Sequence, residues 1–237
     1  MKAIFNYCVG VVLTGCLFSA CNTTTIRDDK ELVIVLDQSD PLRLKPNADE
    51  IDSYLGLKQD LWQGIKVNVT FISDKDVNAE KVITLEKGNR LMGNAQMRTA
   101  QIAHFKKDLH TALGGMQTGG SLDHSIIYRA VAKQLNALSA SEAINKSMVV
   151  YSDLMENADV SFYDPATVAL LKTNPGAIQK QLEQNVPLRN LSGIHIWLLS
   201  DPGSFEENNT YMAVANMYKQ LFESKGATVH IEKTLNL

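Results

Sequence analysis

The sequence predicts a doubly wound α/β fold: a mostly parallel six-stranded sheet in the order 3-2-1-4-5-6, with one antiparallel edge strand and helices on both faces. Short apolar runs rich in branched side chains lie at residues 32–36, 148–151 and 194–199, and such runs are typical of strands buried on both faces. Helical periodicities alternate with them, as in parallel sheets. Each run ends in an Asp-bearing segment, which places polar groups where such sheets bind ligands.

The first half of the chain contains three of the predicted strands. After the strand at 32–36, a helix is predicted over residues 48–63, followed by strands at 67–71 and 82–85. The connection between the last two is so short that they form a hairpin, which makes 82–85 an antiparallel edge strand. Helices are then predicted over 98–113 and, after the glycine-rich residues 114–121, over 122–138.

The second half repeats the alternation. Two helices are predicted to begin at Pro165 and Pro175, and a third is predicted over residues 206–224. The last strand is predicted at 228–231. Right-handed crossovers and the apolar character of the runs at 32–36, 148–151 and 194–199 place these three strands in the middle of the sheet.

The amino-terminal residues differ in composition from the rest. A basic start, a mostly apolar stretch at 4–18 and small residues before a cysteine resemble a bacterial lipoprotein signal. We predict a signal peptide at residues 1–20, a lipidated Cys21 with a tether to residue 30, and one domain at 31–237. Cys16 is the alternative lipidation site, because the four residues 13–16 match the usual lipoprotein box better than residues 18–21 do. Cys21 is preferred because polar residues 22–25 follow it.

Charge and cysteine content limit the function classes. The net charge is −3 and the pI about 6.0, with no basic patch, which argues against a nucleic-acid partner. All three cysteines lie within the first 21 residues, so the domain has none to form a disulfide. The predicted location is the bacterial cell envelope, with the chain lipid-anchored at the periplasmic face or the outer membrane.

Oxygen-bearing side chains from three loops are predicted to meet at one edge of the sheet. Carboxylates and hydroxyls are hard ligands that suit Mg²⁺, Ca²⁺ or Mn²⁺. The candidate metal ligands are Asp37, Ser39, Ser121 and Asp153, with Asp40 and Asp123 as further candidates. The alternative is a structural role, with Asp37 in an Asx turn and Ser121 and Asp153 bonded to loop amides.

These residues resemble those of a von Willebrand factor A domain, and the resemblance covers most of residues 31–233. That family's metal-ion-dependent adhesion site has Asp-x-Ser-x-Ser after the first strand, a Thr after a Gly-Gly pair, and an Asp ending the fourth strand. The resemblance implies that Asp37 and Ser39 supply the first element, Ser121 the second and Asp153 the third. Pro41 departs from the pattern, because it stands where the family has its second Ser.

The resemblance implies a binding protein and not an enzyme. We expect an envelope lipoprotein that binds a protein partner through a divalent cation, Mg²⁺ first, with a partner carboxylate completing the coordination shell. A metal-free scaffold or assembly subunit of an envelope complex remains the alternative. A hydrolase is disfavoured, because Ser39 stands where a haloacid dehalogenase-type phosphatase needs Asp and no Gly-x-Ser-x-Gly elbow is present. We also expect Asp37 and Asp153 to lie outside the core.

Overall fold

The computed structural model describes residues 29–39, 43–72, 78–115 and 125–235. Within these residues the strands form one mixed sheet in the order β3-β2-β1-β4-β5-β6. Their bounds are β1 Lys30–Asp37, β2 Ile65–Ile72, β3 Ala79–Leu85, β4 Asn145–Tyr151, β5 Ile194–Leu199 and β6 Thr228–Glu232. β3 is antiparallel to β2 and every other pair is parallel, which confirms the predicted order and edge strand.

The apolar run of β1 is buried on both faces because it lies between β2 and β4. Successive side chains of a strand point to opposite faces, so Leu32, Ile34 and Leu36 enter one core cluster, while Val33 and Val35 enter the other. A strand at an edge of the sheet does not need such a continuous run. The central position predicted for residues 32–36 is confirmed.

Helices cover both faces of the sheet. Their bounds are α1 Ala48–Leu55, α2 Ala95–Gly114, α3 Ile127–Ala140, α4 Pro165–Thr173, α5 Pro175–Asn185 and α6 Phe205–Ser224. Buried side chains of α1 and α2 pack in the cluster of Leu32, whereas those of α3 to α6 pack in the cluster of Val33. Within the described residues, no helix combines the length and the apolar character that crossing a bilayer requires.

α1 is shorter than predicted, because it ends at Leu55 and not at residue 63. Gly56 adopts a left-handed conformation with φ 69°, and its N–H bonds the Ser53 carbonyl. Gln63, which the prediction placed inside the helix, instead donates from Nε2 to the Leu55 carbonyl at 2.7 Å. The apolar pattern continues beyond residue 56, but Gly56 ends the helix. Gln63 then supplies a hydrogen-bond donor to a backbone carbonyl of the last helical turn.

Two helices begin three or more residues away from their predicted starts. α2 begins at Ala95 and not at residue 98, because the Asn94 side chain accepts from the N–H groups of Gln96 and Met97. Within the described residues α3 begins at Ile127, whereas the prediction began at 122, which lies outside them. The parallel strands all have their carboxyl ends at the same end of the sheet. The carboxyl ends of β1, β4 and β5, with the residues before α3, are called the rim below.

Candidate functional site

Asp37 ends β1 and is almost fully buried at the rim, with 1% of its surface exposed. Its Oδ1 accepts from the Ser39 N–H at 2.9 Å and from the Ser39 hydroxyl at 2.5 Å. Its Oδ2 accepts from the Ser152 hydroxyl at 2.7 Å, which joins the loop after β1 to the loop after β4. The expectation that Asp37 lies outside the core is therefore wrong. Its carboxylate is a buried acceptor that holds two loops together.

A third segment joins this group through Ser125. The hydroxyl oxygens of Ser39 and Ser125 lie 2.9 Å apart, and the Ser125 carbonyl accepts from the Asn157 N–H at 3.0 Å. A hydroxyl has one hydrogen, so Ser39 donates either to Asp37 or to Ser125 at any moment. The sequence did not single out Ser125. We call Asp37, Ser39, Ser125 and Ser152 the rim network.

Asp153 lies beside the rim network in the loop after β4. It is only partly buried, and its Oδ1 accepts from the Met155 N–H at 2.9 Å. The next residue, Leu154, has φ 61°, a left-handed conformation that is costly for a residue with a Cβ. The Ser152 hydroxyl accepts from the Leu154 N–H at 2.8 Å and helps to hold this conformation.

Glu156 is a buried carboxyl group that sequence reasoning missed. Its Oε2 accepts from the Tyr128 N–H at 2.7 Å in the first turn of α3, and α3 has no side-chain cap from its own N-cap residue, Ile126. No signal in the sequence pointed to Glu156, because the helix was predicted to begin at residue 122 and the uncapped start at Ile126 is visible only in the structure. Its Oε1 has no hydrogen-bond partner among the residues that the structure describes. Burial, with smaller contributions from the charges of Asp159 and Asp37, raises the pKa of Glu156 to about 8.

A pocket of about 620 Å³ opens next to the rim network. It lies between the segment before α1, the loop after β4, and the connection from β5 to α6. Ser152 and Asp153 belong to both the pocket wall and the loop that contacts Asp37. The other polar and aromatic residues of its wall include Arg43, Tyr163, Asp201, Glu206, Glu207 and Tyr211. Carboxylates outnumber the single guanidinium there, so the wall favours cationic groups over anionic ones.

Arg43 lies at the pocket mouth, next to Gly203 and Glu207. It forms an ion pair with Glu207 at 3.9 Å, and Glu207 also accepts from the Gly203 N–H at 2.7 Å. A Cβ on Gly203 would lie 0.9 Å from a guanidinium nitrogen of Arg43. Any larger residue at position 203 would therefore displace the arginine.

Three of the predicted metal ligands lie in the part of the chain that the structure describes. Asp37 and Ser39 are hydrogen-bonded to each other, and Asp153 lies in the neighbouring loop. Ser121, Asp40 and Asp123 fall outside the described residues, as do Pro41 and both candidate lipidation sites, Cys16 and Cys21. Among the described residues no cluster of three or more His, Cys, Asp or Glu could hold a metal ion. The donors that are described are hard oxygens, which fit the Mg²⁺ and Ca²⁺ class.

No family model and no curated protein matches this chain. One similar solved structure is an aerotolerance-related membrane protein from Bacteroides fragilis NCTC 9343 with multiple mutations to serines, at 12% identity and a TM-score of 0.37, covering 85% of this chain and 91% of that one. Another is a mutant of the PilB minor pilin from Streptococcus sanguinis, at 11% identity and a TM-score of 0.42, covering 90% of this chain and 59% of the pilin. The fold assignment rests on the sheet order and not on these likenesses.

Proposed function

We propose that this chain is an envelope lipoprotein whose domain is of the von Willebrand factor A kind and binds a protein partner at the rim. The observation that carries the proposal is the pocket of about 620 Å³ beside the buried rim network. Its wall combines apolar side chains such as Leu44 and Met155 with several carboxylates and hydroxyls. A concave site with an apolar wall and a few fixed polar groups is typical of ligand recognition.

The rigidity of the rim supports a binding role. Asp37 fixes two loops and Ser125 brings in a third, so the pocket wall at Ser152 is positioned before any partner arrives. Preorganised surfaces lose little conformational entropy on binding. We propose a binding and not a catalytic role, because the Asp37 carboxylate is used to accept hydrogen bonds from the loops that form the rim.

A divalent cation, Mg²⁺ first, is proposed at this rim. Asp37, Ser39, Ser121 and Asp153 would hold it, with Asp40 and Asp123 as additional candidates. When bound, the cation supplies a Lewis-acidic position that a carboxylate of the partner can occupy. Asp153 is the ligand candidate that also lines the pocket, so its side chain links the cation to the partner surface.

A metal-free scaffold is the second candidate function. The observation that favours it is that both oxygens of Asp37 already accept hydrogen bonds and that Ser39 is only 3% exposed. In that case the rim network is a structural clamp, and the partner contacts the pocket wall directly. The two candidates make opposite predictions about chelators.

The lipid anchor is part of the same proposal. Cys21, with Cys16 as the alternative, would carry the lipid and hold the domain at the periplasmic face of a membrane or at the outer membrane. Mass spectrometry of the mature amino-terminal peptide tests this. A lipid on Cys16, or an unmodified terminus, would contradict the assignment to Cys21.

Site-specific photo-crosslinking tests partner binding in cells. A photoreactive amino acid is placed at position 163, where Tyr163 lines the pocket and is 56% exposed, and in a control chain at position 82 of the edge strand, where Val82 is 57% exposed. We expect a discrete protein adduct from position 163 that is absent from position 82 and is lost when Asp153→Ala is added. Equal adducts from both positions, or none from position 163, would contradict the proposal.

Chelation separates the two candidates in the same experiment. Loss of the adduct with EDTA and its recovery with Mg²⁺ supports the cation. An adduct that is indifferent to EDTA supports the metal-free scaffold, while the requirement for Asp153 still assigns the contact to the rim.

A further inference from the structure

Exposed apolar side chains gather at the end of the sheet opposite the rim. Of the ten large apolar side chains that are exposed in the described part of the chain, five lie at the amino ends of the parallel strands. They are Leu61 at 40% exposure, Leu91 at 96%, Met92 at 88%, Met97 at 64% and Ile144 at 67%. We call these five residues the amino-end surface.

The most exposed pair is held out by a defined turn. The Asn89 side chain accepts from the N–H groups of Leu91 and Met92 at 2.9 and 3.1 Å, and its carbonyl accepts from the Gly93 N–H at 2.8 Å. A Cβ on Gly93 would lie 2.3 Å from the Trp62 ring, so the turn packs closely on that indole. Leu91 and Met92 are therefore exposed by an ordered turn that hydrogen bonds and packing on Trp62 stabilise.

A buried arginine fixes the base of this turn. Arg98 is 3% exposed and donates to the carbonyls of Leu61 at 2.6 Å, Gln63 at 2.7 Å and Glu86 at 2.8 Å. These bonds hold the segment before β2 and the segment after β3 against the start of α2. The apolar side chains of Leu61, Leu91, Met92 and Met97 are thus presented from one rigid unit.

The polypeptide that precedes β1 joins the domain at this same end. The Asp29 N–H donates to the Gly64 carbonyl at 3.0 Å, and the Asp29 carboxylate accepts from the Gly64 N–H at 3.0 Å. The same carboxylate pairs with Lys87 at 2.6 Å, and the Asp29 carbonyl accepts from the Asn145 N–H at 3.1 Å. Gly64 and Lys87 belong to the segments fixed by Arg98, and Asn145 follows Ile144. Residue 29 therefore lies between Ile144 on one side and the segments that carry Leu61 and Leu91 on the other.

The length of the preceding chain limits how far this end can be from a lipidated cysteine. Eight steps separate Cys21 from Asp29, and at a maximum of about 3.6 Å each they span at most about 29 Å. A tether of this length gives the surface a high effective concentration at the bilayer, so even weak apolar contacts are populated. Arg90, beside Leu91, pairs with Asp60 but is still 68% exposed, so its guanidinium can also contact phosphate headgroups.

We propose that the amino-end surface lies in the interfacial region of the lipid leaflet that holds the anchor, an inference that rests on the lipid anchor of the proposed function. Leu91 and Met92 enter the acyl boundary and Met97, Leu61 and Ile144 border it. β1 then directs the rim away from the membrane, since its eight residues span about 23 Å. The surface thereby orients the partner-binding pocket.

Depth-dependent fluorescence quenching of the lipidated full chain tests this placement. Met92→Cys and the control Phe205→Cys, which is 82% exposed at the opposite end, are each labelled with an environment-sensitive dye. They are reconstituted in vesicles of phosphatidylethanolamine and phosphatidylglycerol with a nitroxide-labelled phospholipid. The parent chain has no other free thiol when Cys21 carries the lipid, so labelling of the parent reports a wrongly assigned anchor.

We expect the dye at position 92 to shift to shorter wavelength and lose emission to the nitroxide lipid, while the dye at position 205 does neither. Equal quenching at both positions, or none at position 92, overturns the inference and leaves the anchor intact. A blue shift at 92 without lipid quenching assigns the surface to a second copy of the chain and also overturns it. A chain that fails to float with the vesicles contradicts the anchor itself, and the inference falls with it.

Discussion

The two ends of the sheet are each organised by one buried charged residue, but the charges are opposite and so are their surroundings. At the rim, Asp37 accepts from the backbone and hydroxyl of Ser39 and from the hydroxyl of Ser152. At the other end, the guanidinium of Arg98 donates to backbone carbonyls, including those of Leu61 and Glu86. Each side chain joins segments that are distant in sequence.

We call Asp37 and Arg98 the two hubs of the fold. The surfaces next to the two hubs differ in polarity. Asp37 collects hydroxyls next to a pocket rich in carboxylates, whereas Arg98 supports a turn that exposes Leu91 and Met92. Buried polar side chains and exposed apolar ones are both departures from the usual distribution, and such departures are the informative ones. This difference agrees with the proposed partner binding at the rim and the proposed membrane contact at the opposite end.

Removing the arginine hub is expected to have the largest effect on stability. Arg98→Ala leaves three buried or partly buried backbone carbonyls without their charged donor, so we expect a loss of about 4 kcal/mol in the free energy of unfolding. Urea denaturation measures it. The matched control is Arg90→Ala, whose exposed ion pair with Asp60 contributes less than about 1 kcal/mol. Equal losses in the two variants would show that Arg98 is not a hub.

The buried carboxyl beside the rim should make stability depend on pH. The folded pKa of Glu156 is about 8 against an ordinary 4.5, so the folded state binds the proton more tightly. Stability is therefore greatest below the ordinary pKa and falls as pH rises towards 8, by up to about 1.4 kcal/mol per pH unit. Glu156→Gln cannot ionise and should flatten this dependence. Identical slopes of unfolding free energy against pH in both proteins would refute the assignment.

The carboxylate hub should be more sensitive than its partly exposed neighbour. Asp37→Asn keeps one oxygen acceptor but loses the charge, and we expect a loss of about 2 kcal/mol. Asp153→Asn on the same rim should cost less than about 1 kcal/mol, because Asp153 is only partly buried. Thermal and urea unfolding of the pair decide this. A larger loss from Asp153→Asn would reverse the order of the two carboxylates.

The amino-end surface should contribute almost nothing to folding. The double substitution Leu91→Ser and Met92→Ser is expected to change the free energy of unfolding by no more than about 0.5 kcal/mol, because both side chains are nearly fully exposed. Leu109→Ala in the buried face of α2 is the contrast, with an expected loss of about 3 kcal/mol. A substantial loss from the double substitution would mean that the turn packs into the domain.

The sequence by itself determined the strand order and the central position of β1. Residues 32–36 are continuously apolar because two strands and two helix layers surround them, and this requirement is visible in one dimension. The same holds for the hairpin edge at β3 and for the placement of Asp37 and Asp153 at the ends of neighbouring strands. Periodicity reports burial, and burial decides which strands are central.

Only the tertiary structure decided what these residues contact. The hydrogen bond that the Ser152 hydroxyl donates to Asp37 joins residues 115 positions apart, and the contact between Ser39 and Ser125 joins residues 86 positions apart. No local pattern encodes such pairings. Arg98 looks in sequence like an ordinary charged residue at a helix start, yet packing of three segments buries it. Glu156 caps a helix 28 residues earlier. A buried polar group must find its partner wherever the chain supplies one, so its role depends on the folded neighbourhood and not on its neighbours in sequence.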